Sequence, residues 1–298
     1  MKNTKQIIET AYQKGFAIPA FNIPHLPMIK PIIEAVRDEN SFALIEVARL
    51  EWEKFESKSM QAVHAEFTRW EDHAHVRLHL DHVPVVDEDN LLVDYVAIVS
   101  EAIRLGFSSV MVDGSRLSLA DNIAATKTIS DLAHLAGIPC EAELGAVMGH
   151  ENGVMPPYEE IFKSGKGFTK TDEAAKFVRE SGCDMLSVAI GNIHGAISEA
   201  TRGQAKPAAK LDIEHLKLLK EATGIPLVLH GGSGIEKQYI LQAMKCGIAK
   251  INVGTEMRQA YEKGVEEGGV EMGREAVYLK TREMIREFFE ISGTADMI

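Results

Sequence analysis

Residues 226–255 read PLVLHGGSGIEKQYILQAMKCGIAKINVGT. An apolar run, Pro226 to Leu229, leads into the glycine-rich turn His230-Gly231-Gly232-Ser233-Gly234, then a helical pattern from Glu236 to Lys245, then a second apolar run from Ala249 to Val253. Two short strands joined through one helix make a βαβ unit, the connection that parallel strands require. Upstream the alternation recurs. Strands are expected at Ala17 to Phe21, Phe42 to Val47, Val76 to Leu80, Ser109 to Val112, Pro139 to Leu144 and Met185 to Ile190. Helical segments such as Met28 to Asp38, Leu119 to Leu135, Thr171 to Glu180 and Ile213 to Ala222 lie between them. Eight βα units with no Ser- or Pro-rich linker predict an α/β fold, one (β/α)₈ TIM barrel over residues 1–298. An extra N-terminal helix and a helical C-terminal tail from about residue 257 complete it.

The 298 residues hold 32 Lys and Arg against 44 Asp and Glu, a formal net charge of −12. Nucleic acid is therefore not an expected partner, because binding phosphate backbones calls for a basic surface. A composition 45% hydrophobic and 26% charged fits a globular chain with a large core. No stretch approaches the roughly 20 apolar residues that span a bilayer. The start, MKNTKQIIETAYQKG, reads as a polar amphipathic helix rather than a signal peptide, so no membrane partner and a cytoplasmic location are expected. Cys140, Cys183 and Cys246 are odd in number and far apart, which fits a reducing compartment and buried structural thiols rather than a disulfide framework or a CxxC zinc site.

In a barrel of this type the active site lies where strands end and βα loops begin. Strand three ends in His79-Leu80-Asp81-His82 and strand five in Glu141-Ala142-Glu143-Leu144-Gly145. Strand six ends in Gly191-Asn192-Ile193-His194-Gly195, strand seven in the His230 turn, and strand eight in Asn252-Val253-Gly254-Thr255. Three neutral imidazoles facing one centre leave a zinc ion its full double charge and an open coordination position, as catalysis needs. His82, His194 and His230 are the candidate ligands. They lack local metal-site spacing, so the inference depends on the barrel to gather them. His79 shares a face with Asp81 but lies deeper, as a core histidine would. Gly231, Gly232 and Ser233, with the Asn252 to Thr255 turn, occupy loops where barrels commonly bind phosphate. Two connections are long: Val83 to about Asn90, an acidic stretch read as a surface insertion, and Gly145 to about Lys170, with the glycine content of a mobile lid.

The motifs LHLDH, EAELG, AIGNIHG, PLVLHGGSGI and KINVGTEM, in this order, resemble those of the class II, zinc-dependent ketose-bisphosphate aldolases, with similarity from the N-terminal helix to about residue 260. The resemblance implies a dimeric or larger enzyme that reversibly cleaves a phosphorylated ketose, of the fructose or tagatose 1,6-bisphosphate type, into dihydroxyacetone phosphate and an aldehyde. It places the catalytic acid/base at Asp81 and zinc at His82, His194 and His230, with Glu143 as the carboxylate beside the metal. Cobalt or manganese could stand in for zinc. It also puts phosphate-holding groups at Gly195, Ser233 and Thr255, a triose contact at Asn252, and a mobile-loop acid that moves the triose proton at Glu151. Arg258 stands six residues after Asn252, where some members carry an arginine that reaches a neighbouring subunit's distal phosphate.

The chemistry agrees with those roles. Removing a proton beside a ketone creates negative charge that a metal stabilises, and no lysine sits at the end of a candidate strand to form a Schiff base instead. Departures cluster around the site: Val83-Pro84 follows the Asp-His pair, residues 49–75 match the usual pattern poorly, Arg116 stands where histidine or lysine is common, Asn192-Ile193 replaces Thr-Ser, and Gly254 replaces an aspartate frequent in fructose-specific members. They leave open an aldolase for another phosphorylated substrate, such as a deoxy sugar acid phosphate. A metal-binding paralogue without turnover is the other alternative, and retention of both Asp81 and Glu151 weighs against it.

Overall fold

The computed structural model describes residues 2–145, 162–192, 209–232 and 234–298. Eight parallel strands close in chain order: β1 (Ile18–Asn22), β2 (Ala43–Ala48), β3 (Val76–Pro84), β4 (Ser109–Asp113), β5 (Cys140–Leu144), β6 (Met185–Val188), β7 (Leu227–Leu229) and β8 (Ile248–Val253), with β8 paired back onto β1. The expected (β/α)₈ barrel is present, and all eight expected strands form. The one large difference is β3, which runs past Leu80 to Pro84.

Around the strands lie α1 (Thr4–Lys14), α2 (Ile29–Asp38), α3 (Arg49–Lys54), α4 (Met60–Trp70), α5 (Tyr95–Leu105), α6 (Leu119–Leu135), α7 (Thr171–Ser181), α8 (Ile213–Thr223) and α9 (Lys237–Lys245). The tail forms α10 (Thr255–Gly268) and α11 (Val270–Glu283). Asn3, Ser59, Asp94, Ser118 and Asp212 each start a helix by accepting a backbone N–H three residues on, which satisfies a donor the helix leaves unpaired. Seven of these helices turn an apolar face to the core through Ile32, Val63, Val99, Ile129, Phe177, Leu216 and Ile240, all buried. Each such side chain contributes about 1.5–3 kcal/mol of burial free energy.

The strands alternate differently on their inner side. Asn22, Glu46, His79, Asp81, Glu141, Glu143, Lys250 and Asn252 belong to strands that are largely apolar, and the last six stand in pairs two residues apart, which puts each pair on one face. All but Asn22 are buried. Register holds them level: Glu46 is opposite His79, and Asn252 opposite Ala20.

Two expectations need correction. The stretch after β3 is not a loose insertion: Asp87 is buried, accepts the N–H groups of Asp89 and Leu91, and meets Arg49 of α3 at 3.4 Å, while Val86 bridges Leu92. Carboxylate turns of this kind stabilise a short loop from within. Cys140 and Cys183 are buried as expected, but Cys246 is only partly covered, because it caps the end of α9. Burial raises the Cys183 thiol to about 12, so it is inert at neutral pH. Among the described residues, no helix is long and apolar enough to cross a membrane.

The tail is fastened by Glu39 at the end of α2, which accepts from Arg282 and Arg286 at 2.6 Å each and from Ser292 at 3.0 Å. Burial pushes its carboxyl up, but those donors outweigh it and hold the group below the usual carboxylate range. A carboxyl with a lowered folded pKa adds stability above its unfolded pKa and loses it as pH falls through the folded value. Glu39→Gln is therefore expected to cost about 1–2 kcal/mol at neutral pH. Urea denaturation across a pH series should show that difference shrinking under acid conditions.

Candidate active site

On a regular strand Asp81 and His82 would face opposite sides. The pairing of β3 with β4 shifts register between Leu80 and Val83, and His82 has φ +30°, a left-handed backbone that a histidine rarely adopts. This bulge gathers Asp81, His82 and His230, so that one donor atom from each lies within 4.8 Å of the others. Donor atoms of His82, Asp113 and Glu143 lie equally close together. The two imidazole centroids are 4.5 Å apart, and His82 Nδ1 is 3.3 Å from Asp113 Oδ2. Strained backbone held by its surroundings concentrates at functional sites.

Each oxygen of Asp81 has an amide partner: Asn22 Nδ2 donates to Oδ2 at 3.0 Å, and Asn252 Nδ2 to Oδ1 at 3.0 Å. Lys250 Nζ donates to Asn252 Oδ1 at 2.6 Å and meets Glu141 at 3.0 Å and Glu46 at 3.2 Å. Glu141 also lies 2.8 Å from His230 Nε2, while His230 Nδ1 lies 3.0 Å from Glu143. An ionised carboxylate can only accept, so Nε2 donates to Glu141, while Nδ1 faces Glu143 on the side of His82 and Asp81. Further out, Asn192 Nδ2 holds the His230 carbonyl at 3.0 Å and Asn122 Nδ2 that of Glu143 at 3.0 Å.

Burial disfavours every charge in this cluster, and the neighbours decide which survive. For Lys250, the fields of Glu141, Glu46 and Asp81 outweigh burial and hold the ammonium above its usual range. For Glu141, burial is overcome by Lys250 and His230, and for Asp81 by His82 and Lys250, so both carboxylates stay ionised. Glu46 goes the other way, since burial and the nearby Asp81 and Glu141 push it well above the ordinary value despite Lys250. Burial and Lys250 lower His79 to about 3, so it is a neutral core group, bonded to Ser109 at 2.8 Å.

Of the residues singled out in the sequence, Asp81, His82, His230, Glu143 and Asn252 come together here. Gly231, Gly232, Gly254 and Thr255 lie beside them at the same rim. Gly232 is tight: a Cβ would fall 2.7 Å from Ile251 Cγ2 and 2.9 Å from the Asn252 carbonyl. At Gly254 a Cβ would come within 3.1 Å of Asn22 Oδ1, so an aspartate there would press on the amide that holds Asp81. Arg258, in the first turns of α10, is buried, bonded to Glu262 at 2.6 Å and set over the Phe55 ring. Glu151, His194, Gly195 and Ser233 lie outside the described residues. The sequence reading passed over Asn22, Glu46, Asp113, Glu141 and Lys250. Their signal was present as polar residues within or ending apolar strands, two of them two positions before a residue already chosen.

A barrel with a fixed carboxylate beside imidazoles at its C-terminal rim suits a metal-dependent enzyme. The chain matches the family model "Fructose-bisphosphate aldolase class-II" over residues 2–296, and it belongs to that metal-dependent family of aldolases. Its structure is similar to that of the YdjI aldolase from Escherichia coli K12, with a TM-score of 0.77, 29% identity, and 99% of each chain covered. It shares its fold with the fructose-bisphosphate aldolase of Campylobacter jejuni, with a TM-score of 0.74 and 21% identity over 97% of this chain and 94% of that one.

Glu51 lies in the segment that departs from the family pattern. It is buried at the start of α3, where Oε2 accepts the Ala48 N–H at 2.8 Å and the carboxylate also bonds Asn22, the partner of Asp81. Burial, reinforced by Asp81, raises its carboxyl to about 8 against those hydrogen bonds. A raised carboxyl destabilises the fold progressively as pH climbs from its unfolded to its folded pKa. Glu51→Gln, which keeps an acceptor for Ala48, removes that loss. Its Tm relative to the wild type is expected to rise between mildly acidic and alkaline pH by about 2 °C or more. Paired thermal melts across that range check the sign.

Proposed function

We propose that the chain reversibly cleaves a ketose phosphorylated on C1, of the fructose or tagatose 1,6-bisphosphate type, into dihydroxyacetone phosphate and an aldehyde. The observation that carries this reading is the Asp81 carboxylate, ionised and held by two amides beside a pair of imidazoles. Two histidines with nearby carboxylates form a nitrogen and oxygen donor set that suits zinc, with cobalt or manganese as replacements. His82, His194 and His230 would hold it, with Glu143 beside it. When bound, the metal supplies positive charge that polarises the ketone and stabilises the charge developing as carbon–carbon cleavage proceeds.

The chain's own residues do the rest. Asp81 takes the proton of the C4 hydroxyl as the C3–C4 bond breaks; C4 becomes the aldehyde carbon and the bonding pair stays with the three-carbon fragment. Glu151 returns a proton to C3, which completes dihydroxyacetone phosphate. Backbone N–H groups of the Gly231 to Ser233 turn, Gly195, and the N-terminus of α10 at Gly254 and Thr255 receive the C1 phosphate. Asn252 orients the triose. Arg258 serves the distal phosphate, across a homodimer or larger homo-oligomer, once it leaves Glu262. A guanidinium suits that task because it grips phosphate bidentately.

Thorough chelation is expected to abolish cleavage of a ketose bisphosphate while circular dichroism shows the barrel intact, and added zinc should restore it. Full turnover with an empty site by metal analysis would sink the metal-dependent reading. Asp81→Ala should keep metal and lose cleavage by at least about 100-fold, whereas Glu151→Ala should chiefly slow exchange of the triose phosphate C3 proton with solvent. Reversed effects would swap the two roles. Arg258→Ala should raise KM for fructose and tagatose bisphosphates alike; an unchanged KM removes Arg258 from the site.

A further inference from the structure

Lys250 lies in the middle of β8, is fully buried, and uses its ammonium on Asn252, Glu141 and Glu46. We propose that Lys250 is a positioning residue for the cleavage step, one that fixes the side-chain amide of Asn252 and through it the Asp81 carboxylate. The inference rests on the reading of Asp81 as the base for the C4 hydroxyl.

The argument is one of donors and acceptors. An amide has an oxygen end and an NH₂ end of nearly equal size, and its surroundings decide which way it faces. An ammonium can only donate, so the Asn252 atom 2.6 Å from it is the amide oxygen. The NH₂ end must then face Asp81 Oδ1, where it lies at 3.0 Å. Turned over, the amide would set its oxygen against a carboxylate oxygen and its NH₂ against the ammonium, two repulsive contacts in a site shut off from water. Asn22 fixes the other oxygen of Asp81, so the carboxylate plane is held from both sides only while Asn252 keeps its orientation.

Glu141 and Glu46 keep Lys250 where it is. Both meet the same ammonium, from β5 and β2, across the barrel interior. The ammonium thus faces three oxygen partners at 2.6, 3.0 and 3.2 Å. A lysine placed there without a partner would shed its proton. The position thus has a cost that general packing does not explain, and among the described residues its direct contact with a partner of Asp81 is Asn252.

The test is a double-mutant cycle on the metal-loaded enzyme, with Lys250→Met, Asn252→Ala and the pair. Two rates are read: cleavage of a ketose bisphosphate and solvent exchange of the C3 proton of dihydroxyacetone phosphate, which needs no C4 base. Lys250→Met is expected to lower kcat for cleavage by about 100-fold, the scale of a misplaced catalytic group. Exchange should fall by no more than about threefold, with metal content unchanged. In the pair, cleavage should be no slower than in Asn252→Ala alone, since both substitutions break one chain of contacts. Glu46→Gln, which leaves the bond from Lys250 to Asn252 in place, should keep the wild-type ratio of cleavage to exchange. Equal losses in both rates, or additive effects in the cycle, would make Lys250 a structural ion and overturn the proposal. Should Lys250→Met fail to fold, neutron diffraction from the wild-type holoenzyme decides the matter: the Asn252 oxygen must face Lys250, and the opposite orientation overturns the proposal. A wild type that cleaves no ketose phosphate would overturn the parent reading as well, whereas an active wild type with additive variants removes the role of Lys250 alone.

Discussion

The ammonium of Lys250 stands at the centre of a closed barrel, between Glu46 of β2, Glu141 of β5 and Asn252 of its own strand. Removing a charge of this kind from water costs several kcal/mol, and only a complete set of partners offsets it. Those partners must come from strands far apart in sequence, so the arrangement exists only when the barrel is closed and in register. Once it exists, it decides what its neighbours can be. Glu141 stays ionised and accepts from His230, Asn252 turns its NH₂ end to Asp81, and burial beside Asp81 and Glu141 pushes the Glu46 carboxyl up.

From that centre the chemistry runs outward in two directions. Through Glu141, the His230 ring is held beside Glu143; through Asn252, one oxygen of the Asp81 carboxylate is held. Asp81 and the two imidazoles beside it thus belong to one hydrogen-bonded body, and on the proposed reading that body would receive both the C4 hydroxyl proton and the charge left on the three-carbon fragment. The bulge at His82 brings the two halves within reach, at the cost of an unusual backbone angle.

The segments that depart from the family pattern are tied into the rim. Glu51 bonds Asn22, which also holds Asp81, and Asp87 fastens the loop after β3 to Arg49. The departures therefore touch the groups around the site without displacing Asp81, His82 or His230 from one another.

The order of elements was legible in the sequence, because the strands are short runs rich in apolar residues and the helices around them carry an apolar face, five with a side-chain cap of their own. Local patterns of that sort need no partner to be read. Asp81, His82 and His230 were legible as polar residues at strand ends once a barrel was expected, whereas Glu143 and Asn252 were picked out by the resemblance of their motifs. Three things were not legible. A regular strand puts Asp81 and His82 on opposite faces, and only the shifted pairing with β4 turns both inward. Arg49 to His75 gave no pattern, yet it folds into α3 and α4 and delivers Glu51 to Asn22. Lys250 read as one polar residue in an apolar strand, since its partners are roughly 110 and 200 residues away in the chain. Alternation along a strand says which face a side chain takes, but only closure of the sheet says what it meets there.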